Sequence, residues 1–155
     1  MSNKSEGSDY EKFIAKKSYD LGFFAHLLQG SKAGQPFDLV IARNEKVAFI
    51  DCKVCHEKNF PLKRIEPNQH SAFQLLQKFG CTRSYIVCGF DFEGVVKGSG
   101  QKYRDMFIPY QYAQKALAHG DKSMPFEMWF DLDIMYGNLI LGSPNEKAVI
   151  KKVQY

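Results

Sequence analysis

Two aspartates and a lysine lie within apolar stretches of the sequence, where charged side chains are seldom buried. Asp38 stands in "FDLV", and Asp51 and Lys53 stand in "FIDCKV", a segment typical of a β-strand. Alternate residues of a strand face the same side, so Asp51 and Lys53 leave one face of the predicted strand together. A buried charge requires a partner that offsets its desolvation. These three side chains are therefore the first candidates for a functional site.

Asp38 and Asp51 are expected to be direct neighbours across a hairpin. The segments 36–43 and 46–55 both have strand character, and Asn44 and Glu45 between them favour a tight turn. Pairing through that turn places position 38 opposite position 51. Two like charges in that position repel each other, whereas a divalent cation between them attracts both. Carboxylate oxygens are ligands that suit Mg²⁺ or Mn²⁺.

Lys53 beside such an ion would complete a site suited to phosphodiester hydrolysis. A lysine can orient or help to deprotonate a water molecule, and it stabilises charge that develops on a phosphate. The alternative interpretation is a half-exposed strand on which an aspartate and a lysine form an ordinary ion pair. The D-x-K pattern alone does not decide between the two.

The other segments predict an α/β fold with a mixed central β-sheet flanked by helices. Residues 1–8 are expected to be a flexible tail and residues 9–155 a single domain. The sequence patterns predict a helix from Ser8 to about Gln29 ended by Gly30 and Gly34, the two hairpin strands, a helix over 67–80, a strand over 84–92, a basic glycine-rich loop over 93–105, a strand over 106–110 and a helix over 109–120. The segment 121–155 fits strand or helix equally, and Trp129 and Phe130 within it fit either a core or a subunit interface.

Three short motifs follow one another in the first half of the chain: "GQPFD" (34–38), "FIDCK" (49–53) and "NFPLKRIEPNQ" (59–69). Their order resembles the RecU family of Holliday-junction resolvases, within the restriction-endonuclease-like PD-(D/E)xK nuclease superfamily. The resemblance covers roughly residues 10–80 and implies a restriction-endonuclease-like core. It also implies metal ligation by Asp38 and Asp51, a catalytic role for Lys53 and a supporting role for Gln69.

Two of the residues that the resemblance singles out also have a purely local interpretation. Glu11 matches the glutamate on the first helix that completes the metal cluster, but it suits a capping box with Ser8 equally well. Gln69 either supports the site or is an ordinary exposed residue in the first turn of its helix. The chain departs from the family in having Asp51 where a glutamate is usual. It has only "QGSKAGQP" where the family carries a long stalk insertion.

The formal net charge of +4 permits an anionic partner such as nucleic acid without requiring one. Basic residues near the motifs either hold DNA phosphates or belong to a solvated surface. The candidates are Lys12, Lys16, Lys58, Lys63, Arg64, Lys97, Lys102 and Arg104. Symmetric cleavage of a four-way junction needs two sites, so the resemblance implies a homodimer.

The sequence has neither an apolar run long enough for a membrane span nor a signal segment at its start, which favours a cytoplasmic location. Its cysteines are then expected to be reduced thiols. Cys52 and Cys55 have metal-ligand spacing, so a zinc or redox protein is an alternative, but Cys81 and Cys88 do not fit as the second pair.

The combined interpretation is an endonuclease dependent on Mg²⁺ (or Mn²⁺) that resolves four-way DNA junctions in recombination and repair. One alternative is a nuclease of the same fold that acts on duplex or other branched DNA. Another is a DNA-binding module without catalytic activity.

Overall fold

The computed structural model describes residues 3–28 and 35–137 of the 155-residue chain. The elements in chain order are α1 (Asn3–Asp20), β1 (Phe24–Leu27), β2 (Leu39–Arg43), β3 (Lys46–Cys55), β4 (Asn59–Pro61), a 3₁₀ turn (Leu62–Arg64), α2 (Pro67–Lys78), β5 (Ser84–Phe90), β6 (Arg104–Pro109), α3 (Tyr110–His119), β7 (Ser123–Pro125), α4 (Phe126–Leu132) and a π-helical turn (Asp133–Gly137). None of the helices in these ranges combines the length and hydrophobicity needed to cross a bilayer.

The predicted hairpin and its register are confirmed. Asn44 and Glu45 have φ angles of 52° and 63°, the left-handed pair of a two-residue turn that matches the twist of its strands. Residues of β2 and β3 pair from Arg43 with Lys46 to Leu39 with Ile50. The N–H group of Asp38 donates to the carbonyl oxygen of Ile50 at 3.0 Å. The strand pairing ends at Leu39, and Asp38, directly before β2, lies beside residues 50–52 of β3 and so next to Asp51.

Five strands form one mixed sheet in the order β1-β2-β3-β5-β6, which confirms the predicted central sheet flanked by helices. β3 and β5 run parallel, and the other neighbouring strands run antiparallel. A parallel pair needs a long crossover, and the connection through β4 and α2 supplies it. β4 and β7 form a separate two-stranded antiparallel ribbon.

Both faces of the large sheet are covered, which explains why its strands are nearly continuous in apolar residues. α1 covers one face, where Tyr10 and Ile14 lie in a buried cluster with Ile50 and other strand residues. The second cluster lies on the opposite face and contains Phe73 of α2 and Trp129 of α4. Because β3 side chains alternate, its residues at 51 and 53 face the α2 side of the sheet.

The first helix differs from the prediction at both ends. It begins at Asn3, so residues 3–8 of the predicted tail are helical, and Ser8 lies inside the helix and not at its N-cap. The interpretation of Glu11 as the capping partner of Ser8 is therefore wrong. The helix ends at Asp20 because the chain turns at Gly22, with φ of 86°, into β1, which pairs with β2. Strand pairing thus overrides the helical spacing of the apolar residues at 21, 24 and 28, and Gly30 and Gly34 lie outside the described residues.

The later elements follow the prediction closely, apart from the unassigned C-terminal part. The loop predicted over 93–105 runs over 91–103, because β5 ends at Phe90 and β6 already begins at Arg104. Residues 121–137 contain β7, α4 and the π-helical turn, and residues 138–155 lie outside the described part. Trp129 is fully buried against Phe60 and Phe90, so it belongs to the core. That residues 9–155 form one domain stays a prediction.

Cys52 and Cys55 lie on β3 but belong to the two different core clusters, on opposite faces of the sheet. Both side chains are buried, and no disulfide joins them or the other two cysteines. Two thiols that point to opposite faces of a strand cannot bind one zinc ion together. The geometry of β3 therefore argues against the zinc alternative.

Gly89 of β5 leaves room for the Tyr10 ring of α1. A Cβ atom at position 89 would lie 2.7 Å from Tyr10 Cε2. Because the ring is fully buried and cannot move away, we expect Gly89→Ala to lower the free energy of unfolding by about 1–3 kcal/mol, measured by chemical denaturation. Gly7→Ala is the control: nothing lies within 4 Å of its Cβ position in α1, so that change should stabilise the protein. Equal effects of the two substitutions would contradict this packing.

Candidate active site

The Asp38 carboxylate is fixed at the point where β2 and β3 separate. Its Oδ2 accepts a hydrogen bond from the backbone N–H group of Cys52 at 2.7 Å, and its Oδ1 accepts one from Gln35 Nε2 at 3.2 Å. Asp38 precedes Leu39, the first residue of β2. Its carboxylate therefore satisfies a backbone N–H group of β3 that lies beyond the end of the β2–β3 pairing. This contact holds the carboxylate beside β3 and next to Asp51.

Asp51 is the fully buried carboxylate of the site, with no solvent-exposed area. Its Oδ1 accepts a hydrogen bond from Gln69 Nε2 at 2.7 Å. Its Oδ2 forms an ion pair with Lys53 Nζ at 3.1 Å, and no other described group donates a hydrogen bond to this oxygen. Burial raises the pKa of Asp51 well above 3.8, Lys53 lowers it, and the Asp38 charge raises it further.

Gln69 joins α2 to the two charged residues of β3. It is only 5% exposed, so its interpretation as an ordinary surface residue is wrong. Besides its donation to Asp51, its Oε1 accepts hydrogen bonds from Lys53 Nζ at 3.1 Å and from the backbone N–H group of Glu66 at 2.9 Å. The proline at position 67 starts the helix, which places Gln69 in the first turn with its side chain directed at β3. The amide is thereby fixed in one orientation.

Glu11 belongs to the same electrostatic cluster although it comes from the opposite side of the sheet. Burial and then the Asp38 charge raise the pKa of Glu11 to about 7, while Lys53 and Lys12 lower it. The preceding residue anchors the helix, since Tyr10 Oη donates to Asp105 Oδ1 at 2.8 Å. α1 therefore brings a third carboxyl group towards Asp38 and Lys53.

The donor set fits a divalent cation. The buried Asp51 carboxylate lies near the Asp38 carboxylate, with the Lys53 ammonium 3.1 Å from its Oδ2, and a cation would offset the repulsion between the two acids. In the described part of the chain, however, no three Asp, Glu, His or Cys side chains are already close enough to hold an ion by themselves. Mg²⁺ commonly binds through one or two carboxylates and keeps several waters. Asp38 and Asp51 match that pattern, with Glu11 as an additional candidate.

Most of the basic residues predicted to contact DNA already have partners within the protein. Two arginines contact other groups of the protein: Arg64 Nη1 donates to the carbonyl oxygen of Val54, and the Arg104 guanidinium lies over the partly exposed Phe130 ring at 5.7 Å. Four lysines pair with carboxylates: Lys16 with Asp20, Lys58 with Glu127, Lys97 with Asp91 and Lys102 with Glu6. Lys12 and Lys63 are exposed and have no ion-pair partner among the described residues.

A second polar network, which the sequence did not reveal, ties α1 to the end of β3. Glu6 accepts a hydrogen bond from Tyr103 Oη at 2.6 Å, and its other oxygen lies 3.0 Å from His56 Nε2. His56 Nδ1 also lies 3.2 Å from the backbone oxygen of Asp91. These contacts raise the pKa of His56, chiefly through Glu6. No spacing rule joins residues so far apart along the chain, so only the fold could show this network.

Comparison with known proteins finds similarity among solved structures. No protein-family model matches the chain, and no curated protein sequence matches it. Among solved structures, the chain is similar to Archaeoglobus fulgidus Hjc, a Holliday junction resolvase from an archaeal hyperthermophile. The two are 18% identical, and the match covers 68% of this chain and 74% of that chain with a TM-score of 0.45. A function for this chain therefore has to be argued from its own residues.

The burial of Asp51 predicts a gain in stability when its charge is removed. Asp51→Asn keeps an oxygen that can accept from Gln69 but removes one of three neighbouring acids, so we expect the metal-free protein to gain about 1–2 kcal/mol in free energy of unfolding. The folded-state pKa lies above 3.8, so an ionised Asp51 costs stability increasingly as the pH rises from that value. The gain should shrink as the pH falls towards 3.8.

Denaturation in EDTA at several pH values measures this effect, with Asp131→Asn as the exposed control. We expect the control to change stability by less than about 0.5 kcal/mol. A loss of stability in Asp51→Asn at neutral pH would show that the charged form of Asp51 is the better satisfied one.

Proposed function

We propose that this protein is a Mg²⁺-dependent endonuclease that hydrolyses phosphodiester bonds in DNA. The observation that carries the proposal is the fully buried Asp51 carboxylate, which lies beside the Asp38 carboxylate while its Oδ2 faces the Lys53 ammonium at 3.1 Å. A structural ion pair between Asp51 and Lys53 alone would not need a second carboxylate at the same place. A cation shared by Asp38 and Asp51 would offset both the desolvation of the buried Asp51 carboxylate and the repulsion between the two carboxylates.

The residues of the site divide the chemical work between them. Asp38 and Asp51, with Glu11 as a further candidate, would hold the ion; Mn²⁺ suits the same oxygens. When bound, the ion supplies Lewis-acid polarisation of the phosphate and lowers the pKa of a water molecule. Lys53 Nζ, held near Asp51 and hydrogen bonded to Gln69, is available to orient the attacking water and to stabilise the phosphate oxygens.

Gln69 is proposed to be a positioning residue. It contacts Asp51 and Lys53 at once and is itself fixed by the backbone of Glu66. A side chain that orients a ligand and a catalytic amine together acts as the outer shell of a metal site. This role also offers a reason for the aspartate at position 51: the Gln69 amide reaches its shorter side chain directly.

Four-way or other branched DNA is the substrate that we propose, in recombination or repair. The support is the order of the three motifs, which resembles the RecU family and the wider restriction-endonuclease-like superfamily, on a chain that has the matching strand and helix order. A homodimer follows from the need to cut two strands of one junction. Residues 29–34, where the family carries its stalk, lie outside the described residues.

Cleavage assays test the activity and the substrate separately. Labelled four-way junction and linear duplex are incubated with the protein and Mg²⁺ or Mn²⁺, beside Asp51→Asn and Lys53→Ala. We expect paired symmetric nicks in the junction and a loss of at least about 100-fold in rate for each variant. The control, Asp131→Asn, should cut normally.

Other outcomes of the cleavage assay would favour a different function for the protein. Equal cutting of both substrates would keep the nuclease and discard junction selectivity. DNA binding without cutting under any metal would favour a binding module that has no catalytic activity. Cutting by Asp51→Asn at the wild-type rate would show that the nuclease site lies elsewhere.

Removal of the Gln69 amide should weaken Mg²⁺ binding and lower the cleavage rate without unfolding the protein. We expect Gln69→Ala to lower activity by about 10- to 100-fold, with part of the loss recovered at higher Mg²⁺ concentration. Gln111→Ala, an exposed glutamine on α3, is the matched control. A Mg²⁺ titration of cleavage rate measures both variants, and an unchanged titration curve for Gln69→Ala would remove Gln69 from the site.

A further inference from the structure

The lysines near the candidate site fall into two electrostatic groups. The first group pairs with carboxylates: Lys16 with Asp20, Lys58 with Glu127, Lys97 with Asp91 and Lys102 with Glu6. Exposed ion pairs contribute little to stability, so such a lysine can leave its partner. The carboxylate nevertheless remains in place. A phosphate that binds such a lysine then lies within a few ångströms of that carboxylate and is repelled by it. These positions are therefore poor phosphate sites.

The second group consists of Lys12, Lys63 and Lys122. All three are exposed, and none has an ion-pair partner within residues 3–28 and 35–137. Lys122 was not among the residues that the sequence suggested, because it lies far from the motifs along the chain. An exposed lysine that forms no ion pair has its charge available to a phosphate.

Lys63 lies close to the site through a short stretch of chain. It is in the 3₁₀ turn Leu62–Arg64, three residues before Glu66. The Glu66 backbone donates to Gln69 Oε1, which in turn accepts from Lys53 Nζ. Three consecutive peptide links span at most about 11 Å, so the Cα atom of Lys63 lies within about that distance of the Cα atom of Glu66.

Lys122 is held next to Lys63 by the β4–β7 ribbon. The N–H group of Leu62 donates to the carbonyl oxygen of Lys122 at 3.0 Å, directly beside the pairing of Pro61 with Ser123. The ribbon is firmly anchored, because Phe60 and Met124, which face each other across it, are both fully buried. Lys63 and Lys122 are thus held beside each other by an anchored part of the fold.

Lys12 reaches the site from the other side of the sheet. It follows Glu11 on α1, and its charge is near enough to lower the pKa of that carboxyl group. α1 covers one face of the sheet, whereas the ribbon and α2 lie on the opposite face. The unpaired cations therefore flank the carboxylates from two sides.

We propose that Lys12 on one side and Lys63 with Lys122 on the other hold the DNA phosphates that flank the scissile bond, and that the lysines of the 93–105 loop do not. The inference rests on the proposed function, since it takes DNA as the ligand. It narrows the set of basic residues that the sequence suggested to Lys12 and Lys63 and adds Lys122.

The salt dependence of DNA binding tests this assignment one lysine at a time. Binding of duplex and four-way junction is measured in EDTA, where metal-dependent cutting cannot occur, over a series of KCl concentrations. We expect Lys12→Ala, Lys63→Ala and Lys122→Ala each to weaken binding of both DNAs and to reduce the slope of log K against log salt by about 0.9. Thermal unfolding of each variant confirms that it folds.

Three control substitutions separate the effect of a lysine's location from the effect of its charge. Lys102→Ala and Lys97→Ala remove paired lysines from the loop, and Lys46→Ala removes an exposed, unpaired lysine from the β2–β3 turn, five residues before Asp51 on β3 and about 17 Å from it. All three controls should leave the slope unchanged. Equal effects of the controls and the three test variants would overturn the assignment, as would a larger effect at Lys97 or Lys102.

Failure of the proposed function gives a different result from failure of this inference. Wild-type protein that binds DNA with the expected slope changes but never cuts would refute the nuclease and support the surface. Wild-type protein that cuts DNA while Lys63→Ala and Lys122→Ala bind normally would support the nuclease and refute the surface. Wild-type protein without salt-dependent binding to either DNA would refute both.

Discussion

The burial of the Asp51 carboxylate is the constraint around which the site is arranged. An acid with no exposed area needs partners from several directions, and it has them: the Gln69 amide from α2, the Lys53 amine from its own strand and Asp38 from the neighbouring strand. One of these neighbours carries the same charge as Asp51. The Asp38 and Asp51 carboxylates therefore repel each other, and a bound cation would offset that repulsion. This repulsion connects the fold with the proposed chemistry.

The elements around Asp51 serve to bring these partners together. The two-residue turn sets Asp38 against Asp51, and the crossover between the parallel strands delivers the N-terminus of α2 and with it Gln69. α1 reaches the cluster from the other face, fixed by the Tyr10 ring packed over Gly89 and by its hydroxyl on Asp105. Each layer of the fold thus supplies one polar group to the same point on the sheet.

The distribution of charge outside the site changes the picture that composition suggests. Several basic residues of a mildly basic chain are engaged with local acids or turned inward, as Lys97 and Arg64 illustrate. The net charge of +4 therefore says little about where a polyanion would bind. We propose that the location is decided by which exposed lysines form no ion pair, and near the site the described ones lie on α1 and beside the β4–β7 ribbon.

The sequence by itself determined the hairpin, its register and the shared face of Asp51 and Lys53, because these follow from local turn geometry and from the two-residue period of a strand. It also placed Gln69 near the start of a helix, from the proline before it. It could not determine the ends of α1, where pairing of β1 with β2 outweighs helical spacing, nor the nearness of Glu11 to Asp38 and Lys53, nor the pairing of each lysine. Those depend on contacts between residues far apart in the chain, such as Tyr103 with Glu6, which only the packed tertiary structure brings within reach.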